Sequence, residues 1–336
     1  MKKFSVAFFL ILVLAAGLFV YRALLPLPVE APGNELIVIQ KGMTARDVGA
    51  ILIEPGLIRN VREFSLLSKY FELDRKLKAG RYCIPRGAAL VEIIKQLAKG
   101  SPEYDVVVIP EGLTIEEIAA RLFRECGIDS AEFVRLSHNP AQIGELGIAA
   151  SSLEGYLFPD TYQFAWGSKT LPVIVTMVSR YKDIYRELAK DPDTKNMTEH
   201  KIVTLASIIE KESGVDEERP HIAGVFLNRL RIGMPLGADP TVRFALKKLT
   251  GPLTVSDLQN ASPYNTRRFG GLPPGPICSP GYKSIKAAFF PLETKDLYFV
   301  AKDDGSHEHY FSKTLDEHAR AKQKARKEKR IQENVP

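Results

Sequence analysis

Ala206-Ser207-Ile208-Ile209-Glu210-Lys211-Glu212 closes a run that opens at Thr198 and halts at Gly214, and its periodicity decides how this 336-residue chain is read. Thr198 is an N-cap type and Gly214 a helix stop, so the spacing predicts a helix over Glu199–Ser213. Ile202, Leu205, Ala206, Ile208 and Ile209 form one apolar stripe at helical spacing. At about 100° per residue, Glu212 falls about 50° from the middle of that stripe, Glu210 about 110° away and Lys211 opposite. Glu210 and Lys211 therefore read as solvated side chains, whereas Glu212 points into apolar packing at the negative end of the helix dipole. Desolvation and dipole both raise a carboxyl's pKa toward the range a general acid needs. The plain alternative is a partly exposed Glu in a fraying last turn.

Downstream the chain is dense in polar and turn residues: Asn228-Arg229-Leu230, Asp239-Pro240-Thr241-Val242, Tyr264-Asn265-Thr266 and Gly271-Leu272-Pro273-Pro274-Gly275. Rigid Pro/Gly loops that hold Asn, Thr, Ser and Tyr suit a polyhydroxylated ligand, and equally a turn-rich core. Upstream, Ser151 to Tyr162 crowds aromatics beside Glu154 and Asp160, a density that fits either sugar stacking or core. Leu171–Leu188 reads as a helix that Asp191-Pro192-Asp193 breaks.

Toward the N-terminus one unit recurs three times: Ile39, Gly42, Asp47, Val48, Leu52; Ile84, Gly87, Glu92, Ile93, Leu97; and Ile109, Gly112, Glu117, Ile118, Leu122. Each copy reads as a short strand, a turn at Gly and an amphipathic helix. Thr114, three residues before Glu117, has capping-box spacing. Gly, then Thr, then a helix after a strand resembles the lysin-motif (LysM-like) module, which binds amino-sugar glycans. The expected fold class is thus α+β: an N-terminal transmembrane helix, a small LysM-like α+β domain and an α+β domain bearing the site. The expected boundaries are 1–23 for cytoplasmic tip and anchor, 24–34 for a proline-bearing linker, 35–102 for the LysM-like domain, 103–318 for the site-bearing domain and 319–336 for a basic tail.

The anchor rests on Lys2 and Lys3 before an uncharged run from Phe4 to Tyr21, closed by Arg22. As a helix it spans about 27 Å against a hydrocarbon core of about 30 Å. A cleaved signal peptide is the alternative. Basic residues on its N-terminal side place the rest of the chain outside the cytoplasm, as a single-pass membrane protein. With 45% apolar and 26% charged residues the chain is an ordinary folded protein, and a net charge of +6 gives no reason to invoke nucleic acid. Cys83, Cys126 and Cys278 are too far apart for a zinc ribbon, and Cys83 and Cys278 read as small buried thiols. His307-Glu308-His309 is not a zinc helix and reads as hairpin. The sequence holds neither a phosphate-binding Gly-rich loop nor a G-x-S-x-G elbow, so no metal and no cofactor is expected. Between Ala319 and Arg330 stand seven basic residues, which read as a solvated, partly helical end.

The Ala206–Glu212 string with the four downstream runs, and with Glu154 to Tyr162 and Leu297 to Val300, resembles the endolytic murein transglycosylase family. The resemblance implies an anchored enzyme that cleaves inside nascent peptidoglycan strands at the MurNAc–GlcNAc bond, ending their elongation, with wall synthases as neighbours. It also implies that Glu212 is the catalytic acid, followed by Ser213 as in other lytic transglycosylases. A single carboxylate suffices because the muramic sugar's own 6-hydroxyl attacks its anomeric carbon, leaving a 1,6-anhydro end. Ser213, Asn228, Asp239, Thr241, Tyr264 and Asn265 are the candidates for substrate contact. Two rivals stand beside this reading: a non-catalytic glycan-binding protein, and a hydrolytic muramidase with a second acid such as Asp160 or Asp239.

Overall fold

The computed structural model describes residues 33–40, 42–73, 79–99, 104–190, 197–248 and 250–333, together with 21–28 and positions 10, 13, 14 and 17–19. Most of the apolar run expected to anchor the chain lies outside the described residues. Among the described residues no helix is long and apolar enough to cross a membrane. The architecture is mixed α+β, with three two-stranded sheets.

In order, β1 (Asn34–Ile39), α1 (Ala45–Ile53), α2 (Val61–Tyr70), β2 (Gly80–Pro85), α3 (Leu90–Lys99), β3 (Tyr104–Val108), α4 (Ile115–Cys126), α5 (Ser130–Ser137) and α6 (Pro140–Glu145) make up the first half. There follow β4 (Thr161–Ala165), α7 (Thr170–Leu188), α8 (Glu199–Glu212), α9 (Arg219–Arg231), α10 (Asp239–Leu246), α11 (Val255–Leu258), α12 (Tyr282–Phe289), β5 (Tyr298–Ala301), β6 (His309–Ser312) and α13 (Leu315–Glu333). The sheets are β1–β2, β3–β4 and β5–β6. The chain divides into two compact units, one of residues 1–107, 124–128 and 163–169, the other of residues 108–123, 129–162 and 170–336.

The threefold repeat is built from the same local physics each time. Gly42, Gly87 and Gly112 all take φ between 80° and 89°, the left-handed region that glycine enters without strain. In each copy the acid three residues into the helix accepts from the backbone N–H of the cap position: Asp47 from Thr44 at 2.8 Å, Glu92 from Ala89 at 3.0 Å and Glu117 from Thr114 at 2.9 Å. The apolar positions then face inward, and Ile39, Val48, Leu52, Ile84, Ile93 and Leu97 are all fully buried in the first unit's core. There β1 and β2 pair antiparallel, Ile39 opposite Gly80 and Glu35 opposite Ile84. Cys83 is half-buried rather than buried, because β2 alternates and its neighbours Tyr82 and Ile84 take the inner face. The third copy opens the second unit.

That unit is organised around α8. Thr198 caps it through Lys201 N at 3.4 Å, and Ile202 to Ile209 are buried without a break. The expected one-sided stripe is thus a helix enclosed on nearly every side, packed on α12 and α9. Enclosure corrects the reading of Glu210. Its side chain is 7% exposed and bonds the Arg219 guanidinium at 3.1 Å, while Gly281 N donates to its other oxygen at 3.0 Å. Lys211 is exposed, with its ammonium on the carbonyl of Gly112 at 3.2 Å. The aromatics of the Ser151–Tyr162 stretch are core rather than a sugar platform. Tyr156 bonds His200 at 2.9 Å, Tyr162 bonds the Phe158 carbonyl at 2.6 Å, and Asp160 is paired with Arg180.

After α8 the chain turns at Gly214 against the β5–β6 hairpin, where a Cβ on Gly214 would stand 2.2 Å from the His307 carbonyl oxygen. The neighbour is backbone, so the hairpin must shift to admit a methyl group, and Gly214→Ala should cost about 1–3 kcal/mol of stability. Urea denaturation of the variant against wild type measures it.

Candidate functional site

Glu212 is the last residue of α8, directly after its enclosed stretch and the exposed Lys211. Its side chain is only partly exposed, and no side-chain hydrogen bond holds its carboxyl among the described residues. Protein packed round it pushes its pKa up to about 8 from the ordinary 4.5, first by desolvation and then by the negative charge of Asp239. Arg267 and Arg229 pull the other way. The site is therefore two acids and two guanidinium groups, with one acid protonated at neutral pH and reachable from solvent.

Each partner is placed by its own element. Asp239 begins α10, is about half exposed and pairs with Arg267. Arg229, in the last turn of α9, gives Nε to the Leu297 carbonyl at 2.6 Å and Nη1 to that of Leu236, with its guanidinium 5.4 Å from the Tyr298 ring centroid. Two backbone carbonyls thus fix this cation, and burial lowers its pKa. Thr241 and Thr266 lock the loop that carries Arg267 onto α10: their hydroxyls meet at 2.9 Å, and Ala238 N donates to Thr266 at 3.1 Å.

The other candidates have internal partners. Ser213 Oγ donates to the Val215 carbonyl at 2.6 Å and shapes the turn that ends α8. Asn228 gives its amide to the carbonyls of Thr294 and Asp296 and accepts from Arg231. Thr241 Oγ1 donates to the Ala238 carbonyl at 2.7 Å and is fully buried. Asn265 donates to the carbonyls of Leu258 and Asn260 and accepts from Arg267 N. Tyr264 is half-buried, with its ring 5.0 Å from Phe244 and its hydroxyl beside Gly275; burial and Glu154 raise its pKa. Of the sequence candidates, then, Glu212 and Asp239 act on one another electrostatically, while Ser213, Asn228, Thr241 and Asn265 spend their polar atoms on the surrounding backbone.

Sequence reasoning missed Arg229 and Arg267, although both stand in or beside the polar runs it quoted. No local pattern marked either one, because each reaches Glu212 only through the tertiary fold. It also missed Glu154, a carboxyl pushed up to about 8 by burial, which accepts from Ile115 N at 3.2 Å and leaves Oε1 without a hydrogen bond among the described residues. The lone pair of histidines near the hairpin has a structural use, since His309 bonds Glu218 at 2.7 Å.

Fold and site together define an α+β protein that keeps one partly exposed carboxyl protonated at neutral pH, the equipment of a proton donor. The YceG-like family matches residues 37–324, and the chain belongs to it. A Bacillus subtilis relative named endolytic murein transglycosylase is 34% identical, over 92% of this chain and 90% of its own length. A Streptococcus pneumoniae relative of the same name is 30% identical over 95% of this chain, which spans 64% of that protein. The crystal structure of a YceG-like protein from Listeria monocytogenes aligns with a TM-score of 0.58 at 33% identity, over 86% of this chain and 99% of the other. The resemblance carried by the sequence motifs therefore holds.

Between about pH 4.5 and 8 the unfolded chain releases the Glu212 proton while the folded chain keeps it, so this group lowers stability as pH rises through that window. Glu212→Gln should gain on wild type across it, and the gain should vanish near pH 4; urea midpoints at the two ends check the sign. Asp239→Asn should lower the Glu212 pKa and Arg267→Met should raise it, read by NMR titration of the carboxyl carbon.

Proposed function

We propose that this protein is a peptidoglycan lytic transglycosylase in which Glu212 is the general acid and then the general base. In the first step Glu212 gives its proton to the glycosidic oxygen between N-acetylmuramic acid and N-acetylglucosamine. The carboxylate formed takes the proton of the muramic 6-hydroxyl as that oxygen bonds the anomeric carbon, so no water is consumed and a 1,6-anhydro end results. The observation that carries the reading is a half-open carboxyl with a pKa of about 8, which is protonated at neutral pH yet not locked into a hydrogen bond. The relatives' names support the substrate. Asp239, Tyr264 and the polar walls built by Ser213, Asn228, Thr241 and Asn265 would contact or shape the sugar subsites.

The wider reading keeps the boundaries expected from sequence. Residues 1–23 would anchor the chain in the inner membrane and 35–102 would form a LysM-like module, a reading that the strand–turn–helix units support. Residues 103–318 would act on nascent strands outside the cytoplasm, beside wall synthases, and so end strand growth; 319–336 would be the basic tail, continuous with α13.

One observation favours a second reading. Asp239 lies close enough to Glu212 to raise its pKa and is about half exposed, as a base that activates water must be. In that case cleavage is hydrolytic. Asp160, held by Arg180, has no comparable relation to Glu212.

Digestion of purified peptidoglycan followed by mass spectrometry separates the readings, since anhydro ends are lighter than hydrolysed ends by one water. Anhydro ends are expected. Glu212→Gln should reduce their formation roughly 10²–10⁴-fold, and the rate should fall as pH climbs past about 8, where the acid loses its proton. Reducing ends alone, abolished by Asp239→Asn, would establish the hydrolase instead.

A further inference from the structure

A concavity in the site-bearing unit has a lining that does not include Glu212. It is an open groove of about 1800 Å³, with α8 (His200, Lys201, Thr204) and the Gly271–Pro273 loop on one side and α9 with residues 291–296 on the other. Pockets that enclose a small molecule measure about 300–1,000 Å³, so a groove of this size and openness suits an extended ligand. Its walls are rigid. A Cβ on Gly224 would stand 2.3 Å from the Leu292 carbonyl oxygen, so α9 and the 291–296 segment lie backbone to backbone. Asn228 ties that segment down twice, and His200 bonds Tyr156 on one nitrogen and the Pro274 carbonyl on the other.

The charge is uneven. Lys201, Arg231 and Lys295 are exposed on the groove and make no ion pair among the described residues, and Lys313 adds a fourth cation at its edge. Of the two acids that line it, Asp296 is already bonded by His221 and Thr294, which leaves Glu293 as the one uncommitted anion. Leu227, Leu230 and Leu272 supply apolar surface between the charges. An extended ligand with several carboxylates and some apolar surface is what this combination recognises. Peptides satisfy it, whereas a glycan stripped of them offers only lactyl carboxylates held close to the sugar backbone and no apolar side chains.

We infer that this groove binds the carboxylate-bearing peptide stem of the glycan strand whose backbone lies at Glu212, so that the enzyme senses whether a strand still carries its peptides. The inference rests on the proposed peptidoglycan activity. Geometry permits it: Lys201 and Glu212 share α8 and stand roughly 16 Å apart along its axis at ~1.5 Å per residue. A peptide hanging from a muramic residue near Glu212 spans that distance within about five residues of extended chain, at 3.3–3.6 Å each.

The test uses the full-length protein, the Lys201→Glu/Lys295→Glu variant, and two strands of matched length, one with its peptide stems and one stripped of them by an amidase. For wild type, the peptide-bearing strand should have the lower KM. The charge reversal should raise that KM about tenfold with kcat unchanged and leave the stripped strand unaffected. Equal KM values for the two strands in wild type, or the same loss on both in the variant, would overturn the inference; the second outcome would mean general attraction to a polyanion. Binding of both strands to Glu212→Gln protein, followed by calorimetry, keeps the two readings separable. If wild type cleaves neither strand, the proposed activity fails, while a preference of Glu212→Gln protein for the peptide-bearing strand that the charge reversal abolishes still supports the groove, and no preference sinks it.

Discussion

Desolvation of one carboxyl is the constraint on which the rest of this molecule depends. Glu212 stands near the end of a helix in which Ile202 to Ile209 are buried without a break. Moving a carboxylate from water into such surroundings is unfavourable, so the group holds its proton. Much of the second unit serves that condition. α9 and α12 enclose α8, Gly214 lets the chain leave at once against the hairpin, and the 264–267 loop is stitched to the start of α10 by threonine hydroxyls. A looser helix end would admit water and return the acid to its ordinary range.

The repeat was legible in the sequence because its determinants are local. A left-handed turn needs glycine, a cap needs a side-chain acceptor at fixed offset, and an amphipathic helix repeats its apolar positions. All three leave marks within fifteen residues, and Gly42, Gly87 and Gly112 with Asp47, Glu92 and Glu117 stand where those marks put them. The ends of α8 and the inward aim of Glu212 were legible for the same reason, since a cap, a stop and a period define them.

What stayed hidden depends on partners remote in sequence. Nothing near Glu210 announces that Arg219 will fold back on it, nor that Gly281, seventy-one positions on, will donate to it. A helical wheel treats every residue off the apolar stripe as solvated. It fails when a helix is enclosed on all sides, because polar residues are then buried in pairs. The polar candidates illustrate the converse. Asn228, Thr241 and Asn265 were chosen for the donors and acceptors a sugar could use, and those same atoms satisfy backbone groups that turn-rich loops leave unpaired. Side-chain type alone does not distinguish a residue that touches a ligand from one that holds the wall behind it.

The two arginines explain why burial alone would make a poor site. In the proposed reaction Glu212 donates a proton and later accepts one, so it visits both states within a turnover, which favours a pKa near the working pH. Desolvation and the Asp239 charge drive Glu212 toward permanent neutrality, and a group held far above that pH would donate weakly. Arg229 and Arg267 oppose them and keep the carboxylate within reach. Their anchoring differs in a telling way. Arg229 is pinned to two backbone carbonyls and cannot follow the charge, whereas Arg267 sits on a loop, half exposed, paired with Asp239. A fixed cation supplies a constant field at no reorganisation cost, and Arg267 adds a second positive charge that acts on both acids. Proton affinity at Glu212 is therefore set by the balance of four groups on α8, α9, α10 and the 264–267 loop.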